Sequence, residues 1–394
     1  MKSRLAETIV RKRLETYPAV ALVGPRQCGK TTLAKALGGR YYDLEQDSER
    51  LRLDLEWGRF VAPPQPEGSS GDSERDLVIL DEAQSWPEVF PRLRGAIDSS
   101  RRRNGRFLIL GSVSPGLMHH VSESLAGRLS LVELTPFLLR EVPEVPLETA
   151  WLVGGFPDGG ILDPSRFPRW QLDYIALLTT RDLPQWGLPA RPQLTERLLR
   201  MIAAVHAQTW NASQIGKSLG LSYATVNGYL DYLEGAFLIR RLPPYTSNLK
   251  KRAVKSPKCY IRDSGLLHAL LGLGSDADLL FRPWVGASWE GFAIEQILGT
   301  LGNLDVLHRP FFLRTSDRYE LDLVLEVGEE VWAFEIKLTS HPSHEDLARL
   351  EKTADLLSAD WRVLLSQTPE PIQAGNCLSA SLPWLLDFLT HRTW

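Results

Sequence analysis

Residues 19–37 read AVALVGPRQCGKTTLAKAL, and their order decides the fold. An apolar run of five without alternation predicts a strand buried on both faces, as in a parallel sheet covered by helices. Gly24-Pro-Arg-Gln-Cys-Gly29-Lys30-Thr31 then satisfies G-x-x-x-x-G-K-[ST], and TTLAKAL opens a helix. Strand, glycine loop and helix are the context in which that pattern has physical meaning. Glycines let backbone N–H groups close round phosphate oxygens, and the helix N-terminus favours negative charge. A chance match in a chain of this length is on the order of one per cent.

The candidate ATP shell is therefore Gly24, Pro25, Arg26, Gln27, Cys28, Gly29, Lys30, Thr31 and Thr32. Lys30 is expected on the β- and γ-phosphates and the Thr31 hydroxyl on Mg2+. Further along, LVILDEAQ (77–84) ends an apolar strand on Asp81, a candidate Mg2+ ligand, and Glu82, placed to polarise an attacking water. The alternative reading of Asp81 is a helix N-cap. The Asp-Glu pair favours hydrolysis over phosphoryl transfer to a small molecule. Ser112, after the strand RFLILG (106–111), is expected to sense the γ-phosphate or else to cap a helix. Arg128 is a candidate arginine finger in its own or a neighbouring copy, or else a structural salt bridge. With RYYDL (40–44) and LSLVEL (129–134), these runs predict an α/β P-loop domain over residues 1–142. Residues 1–18 read as an amphipathic helix on that domain and 61–76 as an exposed loop.

A length of 394 residues predicts two or three domains. Hydrophobic residues at 43% and charged residues at 24% exclude global disorder and a fibrous chain. A net charge of −3 gives no global basic field, so any nucleic-acid site has to be a local patch. Cys28, Cys259 and Cys377 stand far apart and form neither a disulfide framework nor a zinc knuckle, which points to a reducing, cytoplasmic setting. No apolar run approaches the roughly 18 residues of a membrane span.

Residues 143–195, with several prolines and a GGFP turn at 154–157, read as a helical connector. Over 196–249 a short helix (213–219), a turn at Gly220-Leu221 and a longer helix (222–235) precede a strand, the pattern of a winged helix-turn-helix. Lys250, Lys251, Arg252, Lys255 and Lys258 follow within nine residues. Such a run is a solvated face or, beside a helix-turn-helix, a contact with the DNA backbone.

The last segment, 250–394, carries a second constellation. Glu290 lies on a helical pattern, Asp322 in the strand YELDLVLEV, and Glu335-Ile336-Lys337 in the strand VWAFEIKLT. Period two puts Glu335 and Lys337 on one face. Carboxylates grouped this way suit Mg2+ or Mn2+, with Asp322, Glu335 and Glu290 as candidate ligands and Lys337 as a catalytic cation. The alternative is a fold kept for binding, its charges paired among themselves. The order of these residues resembles the restriction-endonuclease-like nucleases with the PD-(D/E)xK signature, although Leu321 stands where that signature has proline.

GPRQCGKTTLAKAL, LVILDEAQ, GSVSPGL, ESLAGRLSLVELTPF, GGFPD and TTRDLP, in this order, resemble a prokaryotic AAA-type ATPase family with a C-terminal domain of unknown function. The likeness extends through KRAVKSPKCYIRDSGLLHALLG (251–272) and WEGFAIEQIL (289–298). It implies ATP binding and hydrolysis, and it allows a homo-oligomer. The expectation is thus an ATPase coupled to a metal-dependent DNA-processing nuclease domain, or alternatively an ATP-gated switch or scaffold with an inactive nuclease-like domain that binds DNA or protein.

Overall fold

The computed structural model describes residues 2–61, 77–111, 125–189, 191–246, 254–274, 276–317 and 319–394. Ser112, Lys250, Lys251, Arg252 and the expected loop from residue 62 to 76 lie outside them. The chain divides into two units, Met1–Pro136 with Gly235–Phe237, and Phe137–Glu234 with Leu238–Trp394. Among the described residues no helix is long and apolar enough to cross a membrane.

The first unit is built on five parallel strands: β1 (Ala19–Val23), β2 (Arg40–Asp43), β3 (Val78–Asp81), β4 (Phe107–Gly111) and β5 (Leu129–Glu133), in the order β2-β3-β4-β1-β5. Every residue of β1, β3 and β4 is buried, because alternate side chains enter two different cores. Val20, Leu22, Ile79 and Leu108 pack with Ile9, Val10 and Leu33 from the helices Ala6–Thr16 and Lys30–Leu37. Ala21, Val23, Leu80 and Ile109 meet Phe90, Leu93 and Ile97 of the helix Val89–Ser99 on the other face. Burying such a Leu or Ile stabilises by about 1.5–3 kcal/mol, so a polar face on β1 would undo one whole layer. The C-terminal ends of these strands carry the phosphate-binding loop and Asp81, at the end of a parallel sheet where ligands bind.

The second unit contains two sheets. Helix Pro192–Ala204, β6 (Gln208–Thr209), helices Ala212–Leu219 and Tyr223–Gly235, β7 (Ile239–Leu242) and β8 (Lys258–Ile261) follow one another, with strands ordered β6-β8-β7. Gly220, in the left-handed region at φ 68°, turns the chain between the two helices. The buried stripe of the second is Val226, Tyr229, Leu230 and Leu233, while Ser222, Tyr223 and Thr225 are exposed. The boundary expected at 249/250 falls inside this sheet, because β8 completes it.

The larger sheet has the order β13-β14-β12-β11-β10-β9, with β9 (His308–Arg314), β10 (Glu320–Val327), β11 (Glu330–Ile336), β12 (Trp361–Ser366), β13 (Ile372–Ala374) and β14 (Cys377–Ser381). Helices Val285–Asn303 and Leu382–His391 cover one face and His344–Asp355 the other. The helical pattern at Glu290 and the strands at Asp322 and Glu335 are formed as the sequence predicts. The β13–β14 hairpin is an addition, since an exposed three-residue strand leaves little hydrophobic signal.

Residues 143–195 are no mere connector. Trp151, Val153 and Ile161 sit in the same core as Trp289, Phe334 and Leu378. Gly154 is fixed there by sterics, because a Cβ would lie 2.2 Å from Asp263 Oδ1. That carboxylate accepts the Gly155 N–H at 2.8 Å and caps the helix Ser264–Leu270 through the Leu266 N–H at 2.9 Å.

Candidate functional site: a phosphate-binding loop and a carboxylate cluster

In the first unit, the loop after β1 is shaped by three residues in the left-handed region: Gly24 at φ 153°, Gln27 at 63° and Gly29 at 101°. Glycine at 24 is obligatory, since a Cβ there would lie 2.1 Å from the Leu134 carbonyl oxygen. Backbone N–H groups turned inward by such a loop form an anion nest, which the N-terminus of Lys30–Leu37 extends. Cys28 contributes backbone only: its side chain is fully buried, its thiol donates to Leu134 O at 3.3 Å, and burial pushes its pKa up. The Arg4 guanidinium bridges the loop to the end of β5, donating to Cys28 O at 2.8 Å and Thr135 O at 2.6 Å. Nothing in the sequence marks Arg4, which stands 24 residues from the cysteine it holds.

The Lys30 ammonium donates to the carbonyls of Gly24 at 3.0 Å and Pro25 at 2.8 Å. Thr31 Oγ1 donates to Asp81 Oδ2 at 2.7 Å, and the Tyr41 hydroxyl donates to the same oxygen at 2.7 Å. Asp81 Oδ1 accepts the Glu82 N–H at 2.9 Å. Thr31 and Asp81 therefore present adjacent hard oxygen donors, a set that fits Mg2+ with phosphate and water completing its shell. Glu82 lies at φ 49°, accepts from Gln84, and has its pKa raised chiefly by burial, against the lowering influence of Lys30. A half-buried carboxylate beside the acid of the metal site suits a residue that orients water. Tyr41 was legible only as strand; its position on β2, paired with β3, brings it to Asp81.

Arg128 takes no part in this copy's phosphate site. Leu129 opens β5 opposite Ala19 at the start of β1, whereas the loop follows Val23 at the far end. Four residues of strand separate the two by about 13 Å. Its guanidinium instead grips Asp98, with Nε–Oδ1 at 2.8 Å and Nη2–Oδ2 at 3.0 Å. Arg128 and Arg101 hold the Asp98 carboxyl down at about 2.

In the second unit, two of the expected ligands, Glu290 and Asp322, meet a lysine expected on DNA. That lysine, Lys258, is 2% exposed on β8. Its ammonium lies 3.0 Å from Glu290 Oε1, 3.2 Å from Glu320 Oε1 and 3.6 Å from Asp322 Oδ1. Glu320, which read alone is a solvated strand charge beside Asp322, belongs to the cluster. Tyr260, two residues along the same strand, donates to Glu290 Oε1 at 2.6 Å. Burial acts to lower the Lys258 pKa, but Glu290, Asp322 and Glu320 overrule it and hold the ammonium well above the ordinary lysine value. Glu290 is pushed up to about 7, by burial first and then by Asp322, with Lys258 opposing.

Asp322 is placed by an irregularity. The pairing of β10 with β9 shifts register between Leu321 and Val324, a bulge that re-aims the residue inside it. Leu321 and Val324 consequently enter one core, and Leu323 and Leu325 the other. Asp322 Oδ2 also accepts the Ile336 N–H at 2.9 Å. Glu335 pairs with Lys337, just past the end of β11, and burial raises its pKa. Thus the ligands expected for one metal divide between two lysines. Among the described residues no group of three His, Cys, Asp or Glu side chains is arranged to hold a metal ion. A fixed ammonium among Glu290, Glu320 and Asp322 does not fit a divalent ion at those oxygens. Lys255 is exposed, as a backbone contact requires.

Parallel sheet, glycine loop and the Thr31–Asp81 contact together define a P-loop ATPase domain. Residues 16–143 match the model of an AAA domain, while 145–277 and 285–384 each match a domain of unknown function (DUF8612 and DUF4143). The chain is 36% identical over 388 residues to the uncharacterized protein Rv2008c of Mycobacterium tuberculosis, which covers 96% of this chain and 85% of that protein. The uncharacterized protein Mb2031c of Mycobacterium bovis matches at the same 36% over 388 residues. The chain belongs to the family of these two mycobacterial proteins, and its residues 16–143 match an AAA domain. Among solved structures, the Walker-type ATPase PABY2304 of Pyrococcus abyssi aligns with 68% of this chain and 94% of its own, at 18% identity and a TM-score of 0.46.

Proposed function

We propose that the chain binds Mg2+ and ATP at residues 24–32 with Asp81, hydrolyses the nucleotide with Glu82 orienting the water, and uses this cycle as a switch on a nuclease-like C-terminal module that engages DNA. The observation that carries the ATPase reading is the 2.7 Å contact of Thr31 with Asp81, with Glu82 next in the chain. Mg2+ held there would neutralise phosphate charge. Lys30 is free to exchange two carbonyl partners for phosphate oxygens, and Arg26 to Thr32 surround the phosphates with backbone donors. Phosphate release from ATP tests this: Lys30→Ala abolishes it together with binding, and Glu82→Gln abolishes it while ATP still binds. Hydrolysis undiminished in Glu82→Gln removes that residue from the role.

The helix, strand, helix, turn, helix and hairpin over residues 192–261, with strand order β6-β8-β7, support a winged-helix reading. The segment joining β7 to β8 carries Lys250, Lys251, Arg252 and the exposed Lys255. If it lies on DNA phosphates, neutralising the first three reduces the slope of log affinity against log salt by roughly 2–3. An unchanged slope removes DNA from this hairpin.

A second reading is metal-dependent cleavage through Asp322, Glu335 and Glu290 with Mg2+ or Mn2+, assisted by Lys337. It is favoured by the bulge that aims Asp322 beside the Glu335–Lys337 pair. Cleavage of plasmid, fork or junction DNA that Lys337→Ala abolishes would establish it. The Lys258 ammonium among the acids favours the switch.

A further inference from the structure

The cation at the centre of the carboxylate cluster comes from a different sheet. Lys258 lies on β8, opposite Leu242 of β7 and Thr209 of β6, whereas Glu320 and Asp322 lie on β10 and Glu290 on the helix Val285–Asn303. Several contacts fix the hairpin that delivers it. Arg240 of β7 and Arg262 just after β8 both bind Glu295, on the same helix as Glu290. The N–H of Tyr245 donates to Phe312 O at 2.7 Å and that of Val254 to Arg314 O at 3.0 Å, so both ends of the hairpin's tip are stitched to the edge strand β9. The Lys258 ammonium also stands 5.6 Å from the centre of the Phe312 ring. A buried ammonium keeps its charge where carboxylates replace its water; here Lys258 offsets part of the charge of Glu290 and Asp322, while Glu320 is also paired with Arg314.

We infer that Lys258 is the resident cation of this cluster: its ammonium takes the position between Glu290 and Asp322 that a divalent ion would need, so the module works without a metal while the hairpin is docked. This rests on the switch reading and deepens it. A divalent ion and an ammonium within one shell of oxygens repel each other, so the two are alternatives rather than neighbours. β8, through Lys258, is then the strand that fills the acidic cluster.

Mn2+ binding followed by electron paramagnetic resonance tests the assignment. The full chain is used without nucleotide and carries Asp81→Asn, so that the ATP site's acid does not compete. With Lys258 present, no Mn2+ is held in a way that Asp322→Asn changes. Lys258→Met raises Mn2+ affinity at least about tenfold, or about 1.4 kcal/mol, and adding Asp322→Asn removes the gain. Two results overturn the inference: Mn2+ bound by the Lys258 chain and lost on Asp322→Asn, or a folded Lys258→Met chain with no gain. Should Lys258→Met not fold, the measurement on the Lys258 chain with and without Asp322→Asn still decides. The switch reading fails separately. DNA cleavage by a chain that holds no Mn2+ at Asp322 would sink that reading alone, and Mn2+ at Asp322 without cleavage would sink only the assignment of Lys258.

Discussion

Two buried lysines, one in each unit, are held in opposite ways. The Lys30 ammonium rests on the neutral carbonyls of Gly24 and Pro25. That of Lys258 is enclosed by Glu290, Glu320 and Asp322. A hydrogen bond to a carbonyl contributes about 1 kcal/mol net, so Lys30 exchanges its partners for an anionic ligand at little cost. Removing one partner of a buried ion pair costs about 3–5 kcal/mol, so Lys258 is committed. The acids differ in parallel: Asp81 accepts from hydroxyls that share a metal shell or yield to it, whereas Glu290 and Asp322 already have their cation. One site is poised for a ligand and the other is satisfied from within.

The largest expected effect is at the poised site. Lys30→Ala lowers ATP hydrolysis by about 10²-fold or more, the scale for losing one donor to a charged transition state. It leaves thermal stability nearly unchanged, because only two carbonyl contacts are lost. A large fall in melting temperature would break the contrast, since it would make Lys30 as structural as Lys258. The mirror experiment is Lys258→Met, which destabilises the second unit by on the order of 3 kcal/mol and leaves ATP hydrolysis intact. A variant as stable as the parent would mean that the carboxylates neutralise themselves by protonation, as the raised Glu290 already inclines to do.

A finer test concerns the second carboxylate of the same helix. Burial acts to raise the Glu295 pKa, yet Arg240 and Arg262 overrule it and hold the group at about 2. Its folded value lies below the ordinary 4.5, so the unfolded chain binds the proton more readily in between. The stability it contributes is therefore fully present above about pH 4.5 and is lost as pH falls toward 2, by about 3 kcal/mol in all. Glu295→Gln flattens this acid limb in urea melts taken from pH 5 to 3, at the cost of a lower plateau. An acid limb that keeps its slope would assign the loss to other carboxylates.

How much of this was legible follows from the range of each signal. The phosphate loop and Asp81 were readable because their chemistry lies within single strand–loop units, where spacing alone dictates geometry. The three carboxylates of the C-terminal unit were readable as types, but their pairing was not. Lys258 looked like one member of a surface run beginning at Lys250, and period two assigns it a face without saying what that face meets. The clue was present in Lys258-Cys-Tyr260, whose alternation puts a cation and a hydroxyl on one side of a strand. Only the topology, which lays β8 against the helix carrying Glu290, turns that face inward. The bulge at Asp322 is silent in the sequence for the same reason: register is a property of two strands, and one strand read alone does not carry it.

The smallest effect is expected at Arg128, and it sharpens the contrast by supplying a third kind of cation. This guanidinium is paired with a carboxylate, as Lys258 is, but at the surface, where solvent screens the attraction and a pair contributes little. It also lies at the opposite end of the sheet from the loop, so it does not reach a nucleotide bound to its own copy. Arg128→Ala therefore leaves the melting temperature almost unchanged and leaves hydrolysis unchanged in dilute protein. Hydrolysis per chain that rises with protein concentration, and that Arg128→Ala lowers only at the high end, would show that a second copy brings this arginine to the phosphates. Asp98→Ala separates the two roles: as a structural pair it behaves like Arg128→Ala, and as a tether on a finger used in trans it leaves the concentration-dependent rate intact.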